Sequence, residues 1–135
     1  MNKFVFYFLI FVLLGCAQTL KDIRTGHPNK IIELNISANS IANCLYYEML
    51  TENDNKWTTC WNKVDIINKN NIYYLSLTST GGLFYTQTVA IGEIIIKSNK
   101  NYSSIIEIRA SGNLTVYRIL EYINKSASSQ NAPGK

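Results

Sequence analysis

The sequence predicts an α+β domain: an antiparallel sheet of about five strands with two helices on one face, in the order β-α-β-β-β-β-α. Three observations predict it. Ile32, Leu34 and Ile36 alternate with Glu33, Asn35 and Ser37, the period of a half-buried strand, and a helical period follows at once. From Trp57 to Arg109 the strand-like segments succeed one another with only short turns between them, which favours antiparallel pairing. A second helical period closes the chain.

In order, Ser37 or Asn39 can cap a helix reaching about Glu52, with Ile41, Cys44, Leu45 and Met49 on one face. Asn53-Asp54-Asn55 is a turn cluster, and Trp57 to Asp65 reads as a strand. Its period puts Thr58, Cys60 and Val64 on one side, and Trp57, Thr59, Trp61 and Lys63 on the other. Asn68 to Asn71 forms the next turn, and Ile72 to Thr78 is rich in β-formers. Gly81-Gly82 signals a hairpin into a strand from Phe84 that would run to Lys97, with Gly92 marking a bulge or bend. Ser98 to Asn101 turns the chain into Tyr102 to Arg109. Ser111-Gly112-Asn113 then opens a helix with Val116, Ile119, Leu120 and Ile123 inward. A β-sandwich with a small helix is the alternative, should Thr115, Val116 and Tyr117 belong to a strand.

The 135 residues leave room for one domain of modest core, and 47% hydrophobic residues with a net charge of +4 exclude a disordered chain. The apolar share is concentrated at the N-terminus. Phe4 to Leu14 is an unbroken apolar run after Lys3. As a helix it would reach only about 17 Å, roughly half a hydrocarbon core, so it reads as a signal sequence and not a span. The run ends Leu13-Leu14-Gly15-Cys16. This resembles the lipobox of bacterial lipoproteins, with a Leu three residues before the cysteine and a small residue directly before it. The resemblance covers residues 1–16 and implies a type II signal peptide: cleavage after Gly15, a diacylglyceryl group on the Cys16 sulfur, and usually acylation of the freed amine. Ala17 in place of Asp looks like the outer-membrane sorting choice in a cell with two membranes.

The expected organisation is a signal peptide at 1–15, a lipidated tether at 16–29, one domain at 30–125 and a flexible tail at 126–135. With Cys16 spent on lipid, Cys44 and Cys60 form an even pair in an oxidising compartment. A disulfide between them would close a loop of about sixteen residues and stabilise by ~3 kcal/mol in the chain-entropy view.

Catalytic groupings are sparse. The single histidine, His27, stands beside Pro28 in the expected tether, where it is a solvated imidazole. Glu48, Glu52 and Asp54 cluster at a helix end and read as a solvated edge, not as a hydrolytic pair. Neither a metal-ligand spacing nor a phosphate loop is present, so no cofactor is implied and the chain reads as a non-enzyme. Lys97, Lys100 and Arg109 form the densest basic grouping, suited to solubility or to anionic headgroups rather than to nucleic acid. Trp57 and Trp61 share a strand face opposite Cys60 and are the candidate binding surface. Two readings follow. One is a lipid-anchored envelope lipoprotein acting as an interaction or assembly-accessory module for another envelope protein. The other is a glycan-binding or hydrolase-inhibitor module using exposed aromatics.

Overall fold

A computed structural model describes residues 19–52, 61–81 and 87–131. Its elements are helix α1 (Leu20–Thr25), strand β1 (Lys30–Leu34), helix α2 (Ala38–Glu52), strands β2 (Lys63–Lys69), β3 (Ile72–Gly81) and β4 (Gln87–Ser98), a 3-10 turn at Lys100–Tyr102, strand β5 (Ser104–Ala110) and helix α3 (Asn113–Asn131). The strands form one sheet in the order β1-β5-β4-β3-β2, every neighbouring pair antiparallel. The α+β class and element order are as the sequence predicts. Thr115 to Tyr117 are helical, so the sandwich alternative is not the fold.

The core lies between the sheet and the two long helices. Across the strands Ile66, Leu75, Ile94 and Ile108 stand in one row, and Tyr73, Ile96, Ile106 and Ile32 in the next but one. Their face meets Ile41, Leu45 and Met49 of α2 and Ile119 and Ile123 of α3 in one continuous cluster. Ser37 caps α2 by accepting a hydrogen bond from the Ser40 amide at 3.2 Å.

Local chemistry sets the connections. Asn70 and Asn71, at φ 55° and 61°, join β2 to β3 through a two-residue turn that needs a left-handed backbone at both positions, a conformation asparagine tolerates. The bend expected at Gly92 is a bulge: Leu77 pairs with Gly92 but Thr78 pairs with Ala90, leaving Ile91 extra. A Cβ on Gly92 would lie 3.0 Å from the Arg109 carbonyl oxygen, so β5 approaches β4 there at a distance only glycine accepts without adjustment. The Gly81-Gly82 hairpin signal agrees with the Gly81–Gln87 pairing, though the connection itself lies outside the described residues.

Three expectations need correction. Of the strand expected from Trp57 to Asp65, residues 57–60 lie outside the described residues, Trp61 and Asn62 are not in a strand, and β2 is Lys63–Lys69. Asn62 breaks the alternation just before it, its side-chain amide bonding both backbone groups of Thr80 at 2.7 and 2.9 Å. Trp61 therefore turns inward although Lys63 points out. The expected tail from Ser126 is instead the end of α3, which continues to Asn131 with Ser126 fully buried. Small side chains let this last stretch lie close against α2: Ser40 Oγ donates to Gln130 Oε1 at 2.7 Å, and the Cys44 thiol sits 3.5 Å from Ser129 Oγ. Finally, the described part of the tether, from Thr19 on, is folded rather than free.

Candidate functional site

The two sheet faces end in two different surfaces. On the helix side, the antiparallel pair α2 and α3 is joined at its rim by Lys125–Glu48 at 2.7 Å. Glu48 is thereby a structural ion-pair partner. Beyond the rim both helices expose an apolar pair at i, i+3 spacing: Tyr47 and Leu50 on α2, Leu114 and Tyr117 on α3. The contacts Ser40–Gln130 and Glu48–Lys125 set the helices antiparallel and place Tyr47 beside the C-terminal half of α3, while Leu114 and Tyr117 lie further along the layer on its first turns.

On the other face an N-terminal strap replaces the helices. Thr19 starts α1 with a reciprocal cap: its amide donates to Asp22 Oδ2 at 2.9 Å and its hydroxyl accepts from the Asp22 amide at 3.3 Å. The Thr19 hydroxyl also donates to Asp22 Oδ2 at 2.7 Å, and this bond foremost, with that from the Thr19 amide, holds the Asp22 carboxyl below its ordinary range. Ile23 is buried against the sheet, where α1 packs across β4 and β5. Arg24 forks onto the fully buried Glu93 carboxylate, with Nε 2.9 Å from both oxygens. The carboxylate bonds push the guanidinium further toward its charged form, and its carbon stands 5.6 Å above the Tyr74 ring. Arg109 holds the other end, donating to the carbonyls of Arg24 (2.8 Å) and Gly26. Asn29 then pairs with both Ile108 and Ala110. Arg24, Ile67, Lys69 and Tyr74 line an open cavity of about 330 Å³ beside the strap.

One row of this face crosses the whole sheet: Ile31, Glu107, Ile95, Tyr74 and Ile67. Its centre is covered, Ile95 being 7% exposed, while the edge residues Ile31 and Ile67 are 60% and 56% exposed. Lys97 and Arg109 both converge on Glu107. The Lys97 bond, helped by Arg109 and opposed by partial burial, lowers the Glu107 carboxyl from its usual value. Two of the three residues in the expected basic grouping are thus engaged within the fold.

The residues singled out by sequence fare differently. Trp61 is 2% exposed and packs on Tyr122 with ring centroids 5.8 Å apart, so it belongs to the core and not to a binding surface. Trp57 lies outside the described residues, as do Cys16 and Cys60. Among the described residues no disulfide is present: Cys44 is a free thiol facing the Ser126 carbonyl and Ser129 on α3. His27 is exposed. Among the described residues no group of three His, Cys, Asp or Glu side chains gathers as a metal site, and no helix is long and apolar enough to cross a membrane.

Arg24, Glu93, Lys69 and Tyr74 were not singled out from sequence. One signal existed. Glu93 is the lone carboxylate in the otherwise apolar stretch Val89–Ile96, and a charge there must find a partner if the strand is buried on both faces. No protein-family model matches this chain, and no curated protein sequence matches it either.

Proposed function

We propose that the chain is a lipid-anchored envelope lipoprotein, held at a bacterial membrane through acylated Cys16, whose folded domain is a non-catalytic module for contact with another envelope protein. The lipobox-like Leu13-Leu14-Gly15-Cys16 carries the anchoring. Two or three acyl chains would hold the protein firmly where one is marginal. In a cell with two membranes Ala17 favours the outer one.

The partner surface is the solvent side of the helix layer, which carries the exposed Tyr47, Leu50, Leu114 and Tyr117. Aromatic side chains there offer large contact area at low entropic cost. Trp61 contributes nothing to such a surface, which removes one half of the aromatic platform that a glycan-binding reading needs.

Both parts are open to test. Cys16→Ser is expected to abolish metabolic acyl labelling and to release the chain from membranes; retained labelling rejects the anchor. A photoreactive residue at Tyr117 or Tyr47 should give one discrete protein adduct in intact cells. The same group at Tyr102, 90% exposed on the turn before β5, should not. Equal labelling at all three positions rejects the helix layer as the partner surface.

A further inference from the structure

We infer that the strap face of the sheet, around Lys21, Arg24, Lys69 and Tyr74, rests on anionic phospholipid headgroups of the membrane that holds Cys16. The inference builds on the anchoring proposed above and adds an orientation and a lipid class.

Length argues for it first. Had residues 16–29 been a free tether, they could have reached about 45 Å and left the domain free to turn. Instead Thr19 already belongs to the fold, and only Ala17 and Gln18 stand between it and Cys16 in the chain. Three peptide steps reach at most about 11 Å. From Thr19 to Arg24 the chain is helical and adds about 7 Å. The backbone of Arg24 therefore lies within about 18 Å of the acylated cysteine, whatever path residues 17 and 18 take.

Fixed elements make the constraint effective. Glu93, the Arg109 side chain and Asn29 attach the strap to β4 and β5 at separate points along its length. Tethering the strap thus tethers the sheet, and the face carrying the strap is the one drawn to the bilayer.

Chemistry suits that position. Lys21 lies one helical turn before Arg24, and both are exposed. Lys69, exposed at the β2–β3 turn, has no carboxylate partner among the described residues, and it shares the cavity with Arg24. Glu93 and Asp65 are ion-paired, with Arg24 and with Lys63 at 2.9 Å, and Asp22 stays an anion beside Lys21, so Lys69 supplies the positive charge of this patch that no neighbouring acid among the described residues offsets. Tyr74 and the exposed Ile67 give the cavity an amphipathic wall, the combination favoured at headgroup depth. The helix layer with Tyr47 and Tyr117 then points away from the membrane, where a protein partner can reach it.

The test uses the full processed protein in vesicles of phosphatidylcholine alone or mixed with phosphatidylglycerol, followed by hydrogen exchange read by mass spectrometry. The expected result is slower exchange at residues 20–25 and 66–74 in the anionic vesicles, lost at high salt, with α2 and α3 unchanged. Lys69→Gln should remove about fivefold of that protection, the effect of one lysine near an anionic surface. Equal exchange in both vesicles overturns the inference, and so does protection confined to the helix layer. The intact mass of the same sample separates the two claims. An unacylated Cys16 rejects the anchor and this inference together, whereas an acylated protein without lipid-dependent protection rejects this inference alone.

Discussion

On the helix side of the sheet, Leu75, Ile94, Ile106 and Ile108 are sealed beneath α2 and α3 with no charge among them. On the strap side the cover is a six-residue helix with one buried apolar residue, Ile23, and its hold comes from Arg24–Glu93, Arg109 and Asn29. The first face is stabilised by apolar area removed from water, which is nondirectional and tolerant of neighbours. The second depends on a few polar contacts that must meet in one geometry, and each leaves a desolvated group behind if its partner is removed. The protein therefore has a robust face and a conditional one, and the conditional one follows three residues after Cys16 of the lipobox-like motif.

Substitutions should separate the two. The largest loss is expected on the helix side: Ile94→Ala, at a site with 0% exposure, should cost about 2–5 kcal/mol in urea unfolding and affect the whole domain. A loss below ~1 kcal/mol would show that the core collapses around the gap.

Next comes an asymmetry on the strap side. Arg24→Ala strands the buried Glu93 carboxylate and should cost about 3 kcal/mol, whereas Glu93→Gln leaves a guanidinium that can turn to water and should cost nearer 1 kcal/mol. Side-chain exposures of 46% for Arg24 and 0% for Glu93 are the basis of the difference. Equal losses would mean that both charges are desolvated to the same degree.

The pH dependence follows from Glu107. Its carboxyl is lowered in the folded protein, so its contribution is complete above the unfolded value of about 4.3 and is lost as pH falls through the lowered folded value. Unfolding free energy measured between about pH 5 and pH 2 should fall less steeply in Lys97→Met than in the parent, because the bond that lowers Glu107 is gone. An unchanged slope would remove Lys97 as the cause.

The smallest effect is expected at Ser126, whose fully buried hydroxyl has no hydrogen-bond partner among the described residues. Ser126→Ala should be neutral or stabilising by up to about 1 kcal/mol, since it deletes a desolvated group without opening a cavity. A clear destabilisation would imply a bond made by that hydroxyl in solution.

Much of the robust face could be read in the chain. Ile41, Leu45 and Met49 recur at helical spacing and Ile106 and Ile108 at strand spacing, so local periodicity and the final burial agree. The conditional face could not be read the same way. The segment from Leu20 to Thr25 has weak apolar period and its helix is shorter than isolated peptides sustain. Its partner Glu93 lies 69 residues away. Trp61 shows the same limit on a smaller scale: alternation placed it on the face opposite Val64, but Asn62, bonded to Thr80 across the sheet, breaks the alternation and Trp61 is buried in the core with Val64.

Sequence alone determined the α+β class, the element order, an irregularity at Gly92, a turn within Asn68 to Asn71 and the lipobox-like Cys16 motif, because each rests on neighbours within a few residues. Tertiary structure alone decided that the tether is a strap, that Trp61 is core, that α3 extends through Ser126, and that the basic residues Lys97 and Arg109 are occupied by Glu107. Those outcomes depend on pairings between distant segments. Local pattern reports the period of burial along one segment, but not which distant group arrives to bury it.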